Sequence, residues 1–363
     1  MKLYQLKLLN FRNYEKLDLS FSDKYNIIYG QNASGKTNLV ESIYVLSFTK
    51  SFRGSTDKIL IQSDKDVSYI EGLINEDNDN TKYRITINNS GKKVKINNNK
   101  IDKLSDYISK INVVLFNPDS LRFIKDSPGV RRKELNLELS QLDNKYLKNL
   151  SNYNKLIENR NAYLKLLNLN SNNSTDYLNV LTSKIIDLGI EIYNFRKKYI
   201  DLISEKIGEY YEKICHIKDL KIVYDSDYNN LNKNEIISLY KKNINRDIMF
   251  GKTNIGIHHD DLKIMINNQN IKDFGSEGQQ KNAVIAYNLA IIDIFKKYKG
   301  NYPILILDDL FSELDSEKIN NILNLINDEI QVFITTTDID KVNKDILDKS
   351  KLFNIVNGEI REV

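Results

Sequence analysis

The stretch GQNASGKT, residues 30–37, constrains this chain more than any other feature of its sequence. Its glycines, lysine and threonine have the spacing G-x-x-x-x-G-K-[ST] of a phosphate-binding loop. A short apolar segment, residues 25–29, precedes the loop, and a helix-like segment, residues 37–48, follows it. This context distinguishes a phosphate-binding loop from an incidental turn containing glycine, and it predicts that the chain binds a nucleoside triphosphate.

The residues of this loop have separable expected roles. Backbone N–H groups surround the β-phosphate, and the Lys36 ammonium reaches the β- and γ-phosphate oxygens. The Thr37 hydroxyl is the expected protein ligand of the Mg²⁺ that accompanies the nucleotide. The positions assigned to nucleotide binding from this loop are Gly30, Gln31, Asn32, Ala33, Ser34, Gly35, Lys36, Thr37 and Asn38.

Composition places the loop in a large globular protein. The chain has 363 residues, 41% of them hydrophobic and 28% charged, which is enough for two lobes with buried cores. No run of about 18 apolar residues occurs, so neither a membrane-spanning helix nor a membrane partner is expected. The single cysteine, Cys215, excludes an internal disulfide and suits a cytoplasmic protein. Three histidines and one cysteine make no convincing metal set, so any metal is expected to arrive with the nucleotide.

Net charge is only weak evidence about partners. Lys and Arg number 53 against 49 Asp and Glu, a balance of +4 that does not by itself indicate a nucleic-acid-binding protein. Local clusters of cations are more informative, although each taken alone is typical of a solvated face. The clusters are residues 91–100, 131–133, 196–198 and 296–299.

The order of strand-like and helix-like segments divides the chain into blocks. Residues 1–30 and the polar-tipped hairpins of residues 68–100 predict strands on both sides of the phosphate loop. Residues 130–215 are helical around a polar linker at 170–176, which predicts an antiparallel pair of helices of at most about 40 residues each. Beyond about residue 220, strands return and flank further helices, and a hairpin closes the chain.

Apolar residues in the helical block repeat at spacings of three and four. The second helix has a heptad-like seam, and the first presents apolar residues on one face, so the two are expected to pack on each other. The seam of the second helix is Leu181, Ile185, Leu188, Ile192, Phe195, Tyr199 and Leu202. The face of the first helix is Leu135, Leu139, Leu142, Tyr146 and Leu150.

The segment ILILDD, residues 304–309, predicts the acidic half of the nucleotide site. It is a buried strand that ends in two carboxylates, and in phosphate-loop enzymes such a strand lies beside the strand that leads into the loop. Asp308 is then the expected partner of Mg²⁺, directly or through water. Asp309, one residue beyond the strand end, is the expected general base that polarises the attacking water.

A second cluster of motifs surrounds residue 276. Ser276 and Gln279 form an S-x-x-Q capping box at the start of a helix, and Gly278 leaves backbone N–H groups accessible at its positive end. With its position before Asp308, this arrangement resembles the signature motif of ATP-binding-cassette (ABC) ATPases. The segment SELD, residues 312–315, resembles their D-loop, and Thr337 falls at their switch position.

This order of motifs predicts an α/β fold: an ABC-type P-loop ATPase head, a mixed sheet around the phosphate-loop helix, with an inserted helical arm. We expect the head to comprise residues 1–125 and 255–363 and the arm to comprise residues 126–254. In the ABC family the signature serine of one head contacts the γ-phosphate held by another. The resemblance therefore implies that Ser276, Gly278 and Gln279 act in trans across an ATP-dependent homodimer.

Several longer segments are similar to bacterial RecF in order and spacing over residues 3–337. The chain has GIHHDD at residues 256–261, where the family pattern is GPHRDD. The segments that carry the resemblance are LKLLNFRNYEKLDLSF, GQNASGKTNLVESI, FNPDSLRFIKDSPGVRRKELN, GIHHDDL, GSEGQQK and LDDLFSELDSEK.

Membership of the RecF family implies a cytosolic recombination mediator. Such a protein binds double-stranded and gapped DNA without sequence preference as an ATP-dependent dimer, and it helps to load RecA together with RecO and RecR. Its ATPase is weak and DNA-dependent, with ATP and Mg²⁺ as cofactors. By position, the resemblance adds Arg12 and Asn13 as nucleotide contacts and places Asp119 at the Q-loop position. It implies that the catalytic residues are Lys36, Asp309, Ser276 and Thr337.

Other P-loop proteins remain alternatives at this stage. An SMC-like or RecN-like repair ATPase shares the motifs but carries hundreds of coiled-coil residues. A transporter ATPase subunit normally has Glu at position 309 and His at position 337, and a small-molecule kinase needs neither the signature segment nor SELD. A further alternative is that the protein binds the nucleotide permanently as a structural element and does not hydrolyse it. Measurable phosphate release would distinguish an ATPase from this alternative.

Overall fold

The computed structural model describes residues 1–54, 56–76, 79–169, 174–310, 316–356 and 358–362. The strands in this part of the chain are β1 (Lys2–Phe11), β2 (Tyr14–Ser20), β3 (Tyr25–Tyr29), β4 (Val67–Glu76), β5 (Asp79–Asn88), β6 (Gly91–Ile96), β7 (Asn99–Ile101), β8 (Val113–Phe116), β9 (Leu220–Asp225), β10 (Asp261–Ile266), β11 (Gln269–Asn270), β12 (Ile304–Asp308), β13 (Val332–Thr336), β14 (Ser350–Val356) and β15 (Glu359–Glu362).

The helices are α1 (Lys36–Phe48), α2 (Ser105–Ile108), α3 (Arg122–Lys125), α4 (Pro128–Leu142), α5 (Asn144–Leu169), α6 (Asp176–Cys215), α7 (Lys233–Phe250), α8 (Ile271–Phe274), α9 (Glu277–Lys299), α10 (Ser316–Leu325) and α11 (Lys344–Leu347). Among these described helices, none combines the length and apolar character needed to cross a bilayer.

The chain forms two compact units. The first comprises residues 1–120, 212–216 and 284–363, and the second comprises residues 121–211 and 217–283. The boundary near residue 283 falls within α9, so this helix is shared between the units. The division into a head of residues 1–125 and 255–363 and an arm of residues 126–254 stays a prediction.

The first unit contains the sheet that carries the phosphate loop. Its strand order is β15-β14-β3-β13-β12-β8, with parallel pairing throughout except for the closing hairpin of β14 and β15. Strands β12 and β13 are buried along their whole length, as parallel strands covered on both faces must be. The α/β class and the closing hairpin predicted from the sequence are therefore confirmed.

One expectation about strand order is wrong. Strand β12, which ends in Asp308, does not lie beside β3, because β13 pairs with both of them. Both β12 and β13 are short apolar runs, and their order is decided by long-range packing that local sequence does not encode. The acidic strand end still reaches the loop, since the side chains of Asp308 and Thr37 meet across this edge of the sheet.

A second sheet in the same unit is antiparallel, in the order β2-β1-β4-β5-β6-β7. One face is apolar and packs inward, with Leu6, Ile70, Ile85 and Val94 buried. The alternate residues of the same strands are mostly partly or fully exposed on the opposite face. This period-two pattern is that of a sheet with one face on the core and one in solvent.

The second unit is dominated by the predicted antiparallel helices. Asn149 on α5 donates to Glu191 on α6, and Arg160 donates to Thr182, so residue numbers rise on one helix as they fall on the other. The predicted first helix is divided at Asp143, whose carboxylate caps the start of α5 by accepting from the backbone of Lys145. The antiparallel pair is confirmed, with this break as the difference.

The buried face of α6 differs from the predicted seam. Leu188, Phe195 and Leu202 are only partly buried, whereas Gly189 and Arg196 are buried instead. The other four predicted residues, Leu181, Ile185, Ile192 and Tyr199, are buried. The predicted seam is therefore correct at these four positions, and at the other three the buried face lies one residue further along.

Two fully buried ion pairs stiffen the second unit. Arg160 donates to Asp247 at 2.8 Å, and Arg196 donates to Asp260 at 2.8 Å, with all four side chains at most 1% exposed. Breaking a buried pair by removing one partner costs about 3–5 kcal/mol, because the other charge is left uncompensated. These residues therefore act in the architecture of the arm.

Candidate nucleotide site

The backbone of the phosphate loop requires glycine at both ends. Gly30 and Gly35 have φ angles of 153° and 117°, which L side chains rarely adopt. A Cβ atom on Gly30 would lie 2.3 Å from the carbonyl oxygen of Ile355, and one on Gly35 would lie 2.6 Å from Nδ2 of Asn13. Only glycine therefore lets the loop curl this tightly between β3 and α1.

Lys36 is the first residue of α1, and its side chain folds back over the loop. Its Nζ donates to the carbonyl oxygens of Gly30 and Gln31, each at 2.8 Å. Burial lowers the pKa of Lys36, and the carboxylates of Asp309 and Asp308 oppose that shift. The ammonium is thus positioned within the loop, where phosphate oxygens can replace the two carbonyls as acceptors.

The Thr37 hydroxyl lies against the end of β12. Its Oγ1 donates to Oδ1 of Asp308 at 3.2 Å, and Thr335 Oγ1 donates to the same oxygen at 2.7 Å. Burial raises the pKa of Asp308, and these two hydrogen bonds oppose that shift. The hydroxyl and the carboxylate together offer two hard oxygen ligands, which Mg²⁺ prefers. Thr37 and Asp308 therefore fit a bound Mg²⁺ ion.

Asp309 follows directly, in an unusual backbone conformation. Its φ angle is 52°, in the left-handed region that non-glycine residues seldom occupy. Its backbone N–H donates to Thr335 Oγ1 at 2.9 Å, which holds the turn against β13. The residue lines the cleft in front of the phosphate loop. The turn therefore aims the second carboxylate into the cleft while the first stays buried behind it.

The cleft has a volume of about 820 Å³, within the range of small-molecule sites. The turn between β1 and β2 forms one wall, where Tyr14 donates to the Gly35 carbonyl and Asn38 donates to Asn13. The residues assigned from the sequence that line the cleft are Arg12, Asn13, Asn32, Ala33, Gly35, Lys36, Thr37, Asn38 and Asp309.

A buried carboxylate that sequence reasoning missed organises this wall. Glu41 on α1 is fully buried and accepts two hydrogen bonds from the Arg12 guanidinium, at 2.8 and 2.6 Å. Ser51 and Arg53 approach the same carboxylate. A lone glutamate within an apolar helical segment was the available signal, because a buried carboxylate requires cationic or hydrogen-bonding partners.

The cleft has a further wall that no motif indicated. Arg53 reaches Asn38 at 2.9 Å, and beyond it the short 3₁₀ segment that starts at Asp57 brings apolar side chains to the cleft. Ile59 and Ile61 line it together with the polar residues Gln62 and Ser63. These positions have no recognisable spacing relative to the loop, so only the fold brings them there.

The other predicted residues lie as follows. Ser34 has a buried hydroxyl without a hydrogen-bond partner among the described residues, which fits a loop built to meet phosphate. Thr337 is exposed just beyond the end of β13, and Asp119 is in the 3₁₀ helix after β8. The predicted D-loop, residues 312–315, lies outside the described residues. The roles of these positions stay predictions.

The capping box at residue 276 forms as predicted, within the second unit. The Ser276 N–H donates to Oε1 of Gln279 at 2.8 Å, and the Gln279 N–H donates to Ser276 Oγ at 3.3 Å. Ser276 and Gly278 are exposed, and Phe274 beside them is 69% exposed. This helix start therefore presents its polar cap and an aromatic side chain to solvent. Its role towards a nucleotide stays a prediction.

In two of the cationic clusters, residues 131–133 and 196–198, the first residue is internal, whereas Lys133 and Lys198 are exposed. Arg131 is buried and donates to Asp261, and Arg196 is buried against Asp260. A buried guanidinium that is paired within its own unit is not available to a polyanion. In the cluster at residues 91–100, Lys93 and Lys95 are also exposed.

Fold and site together define an ABC-type P-loop ATPase head of the kind found in SMC proteins, with an inserted helical arm. The family model described as RecF/RecN/SMC N terminal domain matches residues 2–359. The chain is 39% identical to the DNA replication and repair protein RecF of Bacillus thuringiensis (strain Al Hakam) and to that of Bacillus cereus (strain B4264), over 99% of this chain and 98% of each relative. This protein belongs to the RecF family, which confirms the resemblance.

Solved structures agree with this assignment. Two structures of the recombination mediator protein RecF in the RecFOR pathway, one with ATPrS and one with ATP, each have a TM-score of 0.91 and 30% identity. They cover 100% and 99% of this chain, and the chain covers 98% and 97% of them. The Smc head domain of Pyrococcus furiosus, bound to the C-terminal domain of ScpA, has a TM-score of 0.56 at 19% identity and shows the fold alone. Its match covers 99% of this chain and 95% of the Smc chain.

Proposed function

We propose that this protein is an ATP-dependent DNA clamp of replication and recombinational repair. ATP closes two heads on DNA near single-strand gaps, and weak, DNA-dependent hydrolysis releases them. Its proposed partners are RecO and RecR, with which it assists the loading of RecA in the cytosol. The observation that carries the proposal is the exposed capping box at Ser276, with Phe274 beside it in solvent, in a chain whose phosphate loop is complete.

The proposed mechanism divides the work between two protomers. In one, Lys36 and the loop N–H groups bind the phosphates, and Arg12 and Asn13 bind from the neighbouring wall of the cleft. Thr37 and Asp308 would hold Mg²⁺, which neutralises phosphate charge when bound. In the other, the N–H groups at the start of α9 and the Ser276 hydroxyl meet the γ-phosphate, favoured by the positive end of that helix.

Hydrolysis needs a base, and Asp309 is the proposed one. Its turn directs the carboxylate into the cleft, and a carboxylate within hydrogen-bond reach of a water can accept its proton as the water attacks. Thr337, beyond the end of the neighbouring strand, is proposed to sense the γ-phosphate. The base and the sensor then stand at adjacent strand ends, where the second protomer completes the site.

The direct test is the oligomeric state of the full chain on gapped DNA. With ATP, sedimentation is expected to give a dimer that remains on the DNA, and with ADP it is expected to give a monomer that dissociates. A monomer that hydrolyses ATP at its full rate without dimerising contradicts the clamp. A dimer that forms equally with ADP contradicts the role of ATP as the closing signal.

Asp309→Asn is expected to separate dimerisation from hydrolysis. The amide keeps the shape of the side chain but cannot accept the proton, so phosphate release falls by roughly 10²- to 10⁴-fold. ATP binding and dimerisation persist, and the DNA complex lasts longer. Phosphate release and the lifetime of the DNA complex are measured together, with Asp328→Asn, at an exposed carboxylate, as the control. An unchanged hydrolysis rate would reassign the base.

A further inference from the structure

The outward face of the antiparallel sheet in the first unit carries side chains aligned in rows across its strands. One row runs from Lys16 through Leu9, Tyr69 and Thr86 to Lys93, each residue paired with the next across neighbouring strands. Cross-strand partners point to the same face of a sheet. The row spans five strands, or roughly 19 Å at about 4.8 Å per strand.

The centre of this row is apolar and its ends are cationic. Tyr69 is 38% exposed and Leu9 is 39% exposed, so both present apolar surface to solvent. Lys16 and Lys93 stand at the two ends, both exposed. An aromatic face between lysines is the arrangement in which unpaired bases stack while the flanking phosphates meet positive charge.

The rows beside it add further cations. The next row is Asp18, Lys7, Glu71, Arg84, Lys95 and Lys100, and Lys82 follows in the third. Across the three rows, seven cations face two carboxylates, a balance of +5, while the whole chain has a balance of +4. One face of one sheet therefore accounts for the net positive charge of the protein.

Not all of these cations are neutralised by neighbours. Lys7 pairs with Asp18, Arg84 and Lys82 share Glu71, and Lys100 pairs with Asp102 just beyond the strand. Lys16, Lys93 and Lys95 have no ion pair with any carboxylate in the part of the chain that the structure describes. Free lysines around an exposed tyrosine match a polyanion with accessible bases, and they match an acidic or apolar protein surface less well.

We propose that this face binds single-stranded DNA, with Lys16, Lys93 and Lys95 on the phosphates and Tyr69 stacked on a base. The inference rests on the proposed function in one respect, that this protein binds DNA. In duplex DNA the bases are paired and stacked inside the helix, so a duplex can contact the lysines only. A single strand can contact the lysines with its phosphates and the tyrosine with a base. The face is thus a strand-selective surface separate from the nucleotide cleft.

The charge test removes Lys16, Lys93 and Lys95 together by substitution with alanine, in the full chain with ATP and Mg²⁺. Affinity for a fluorescent single-stranded oligonucleotide is expected to fall at least tenfold, and the salt slope is expected to fall by about 2, since three phosphate contacts contribute about 0.7 each. The matched control replaces three exposed lysines of the second unit, Lys155, Lys241 and Lys242. The control is expected to bind within about twofold of wild type, and equal losses in both triples would overturn the proposal.

The stacking test uses Tyr69→Ala with Tyr69→Phe as its control. Tyr69→Ala is expected to weaken single-strand binding by roughly 5- to 100-fold and to leave duplex binding unchanged, while Tyr69→Phe keeps wild-type affinity. Thermal melting checks that each variant is folded. If Tyr69→Ala binds single strands like wild type, or if it loses affinity for duplex DNA to the same extent as for single strands, the proposed surface is contradicted.

Wild-type protein separates this inference from the proposed function. If the wild type retains no DNA of any kind with ATP, the clamp itself fails. If it retains DNA and both the lysine triple and Tyr69→Ala leave binding unchanged, the clamp stands and only this surface fails.

Discussion

Lys36→Met is expected to abolish ATP binding, ATP-dependent dimerisation and DNA retention together. Methionine keeps the length of the side chain but removes the ammonium, whose Nζ now bonds the Gly30 and Gln31 carbonyls within the loop. A hydrogen bond to a charged group contributes about 1.5–3 kcal/mol, and this group serves several phosphate oxygens, so ATP affinity falls by roughly 100-fold or more. Equilibrium binding of a fluorescent ATP analogue measures the loss.

Two further measurements make this result specific. Lys50→Met removes a charge from an exposed lysine just beyond α1 and is expected to leave ATP binding unchanged. Thermal melting of Lys36→Met is expected to give a folded protein, because burial already lowers the pKa of Lys36 and methionine removes that buried charge. A Lys36→Met protein that still dimerises with ATP would contradict the closing role of the nucleotide.

Ser276→Arg is expected to abolish dimerisation and hydrolysis while ATP binding to the monomer persists. The serine is exposed at the start of α9, so the fold tolerates a larger side chain, and the phosphate loop is untouched. In the composite site the arginine would occupy the position of another protomer's γ-phosphate and block closure sterically. Analytical ultracentrifugation with ATP and a phosphate-release assay measure the two losses.

Ser276→Ala is the control that separates the steric block from loss of the cap. Removing a helix cap costs about 0.5–2 kcal/mol of stability. Ser276→Ala is therefore expected to melt at a slightly lower temperature and still to dimerise. Normal hydrolysis by Ser276→Arg as a monomer would show that the site is complete within one chain.

Mixing two inactive proteins sharpens the same test. A pair formed by Ser276→Arg and Lys36→Met protomers retains one intact site, built from Lys36 of the first and Ser276 of the second. Partial hydrolysis is expected to return on mixing, although neither protein hydrolyses ATP alone. Absence of any recovery at high concentration of both proteins would contradict a site shared in trans.

The sequence alone was sufficient to predict those parts of the protein whose function depends on contacts between residues close together along the chain. The phosphate loop needs glycine at residues 30 and 35 because no Cβ fits there, and that requirement is visible as spacing. The capping box at Ser276 and Gln279 is likewise a contact over three residues, so its pattern predicts its geometry. An apolar strand that ends in Asp308 could be recognised for the same reason.

Only the tertiary structure decided how distant segments meet. The insertion of β13 between β3 and β12, the Glu41 carboxylate beneath Arg12 and the burial of Arg196 all depend on partners far along the chain. The cationic face is of the same kind, because its lysines come from strands that are adjacent only after pairing. The spacing of residues in a motif reflects contacts over short distances along the chain, whereas burial and local charge balance arise from the packing of remote segments. For this reason the motifs predicted the nucleotide site but not the walls of its cleft.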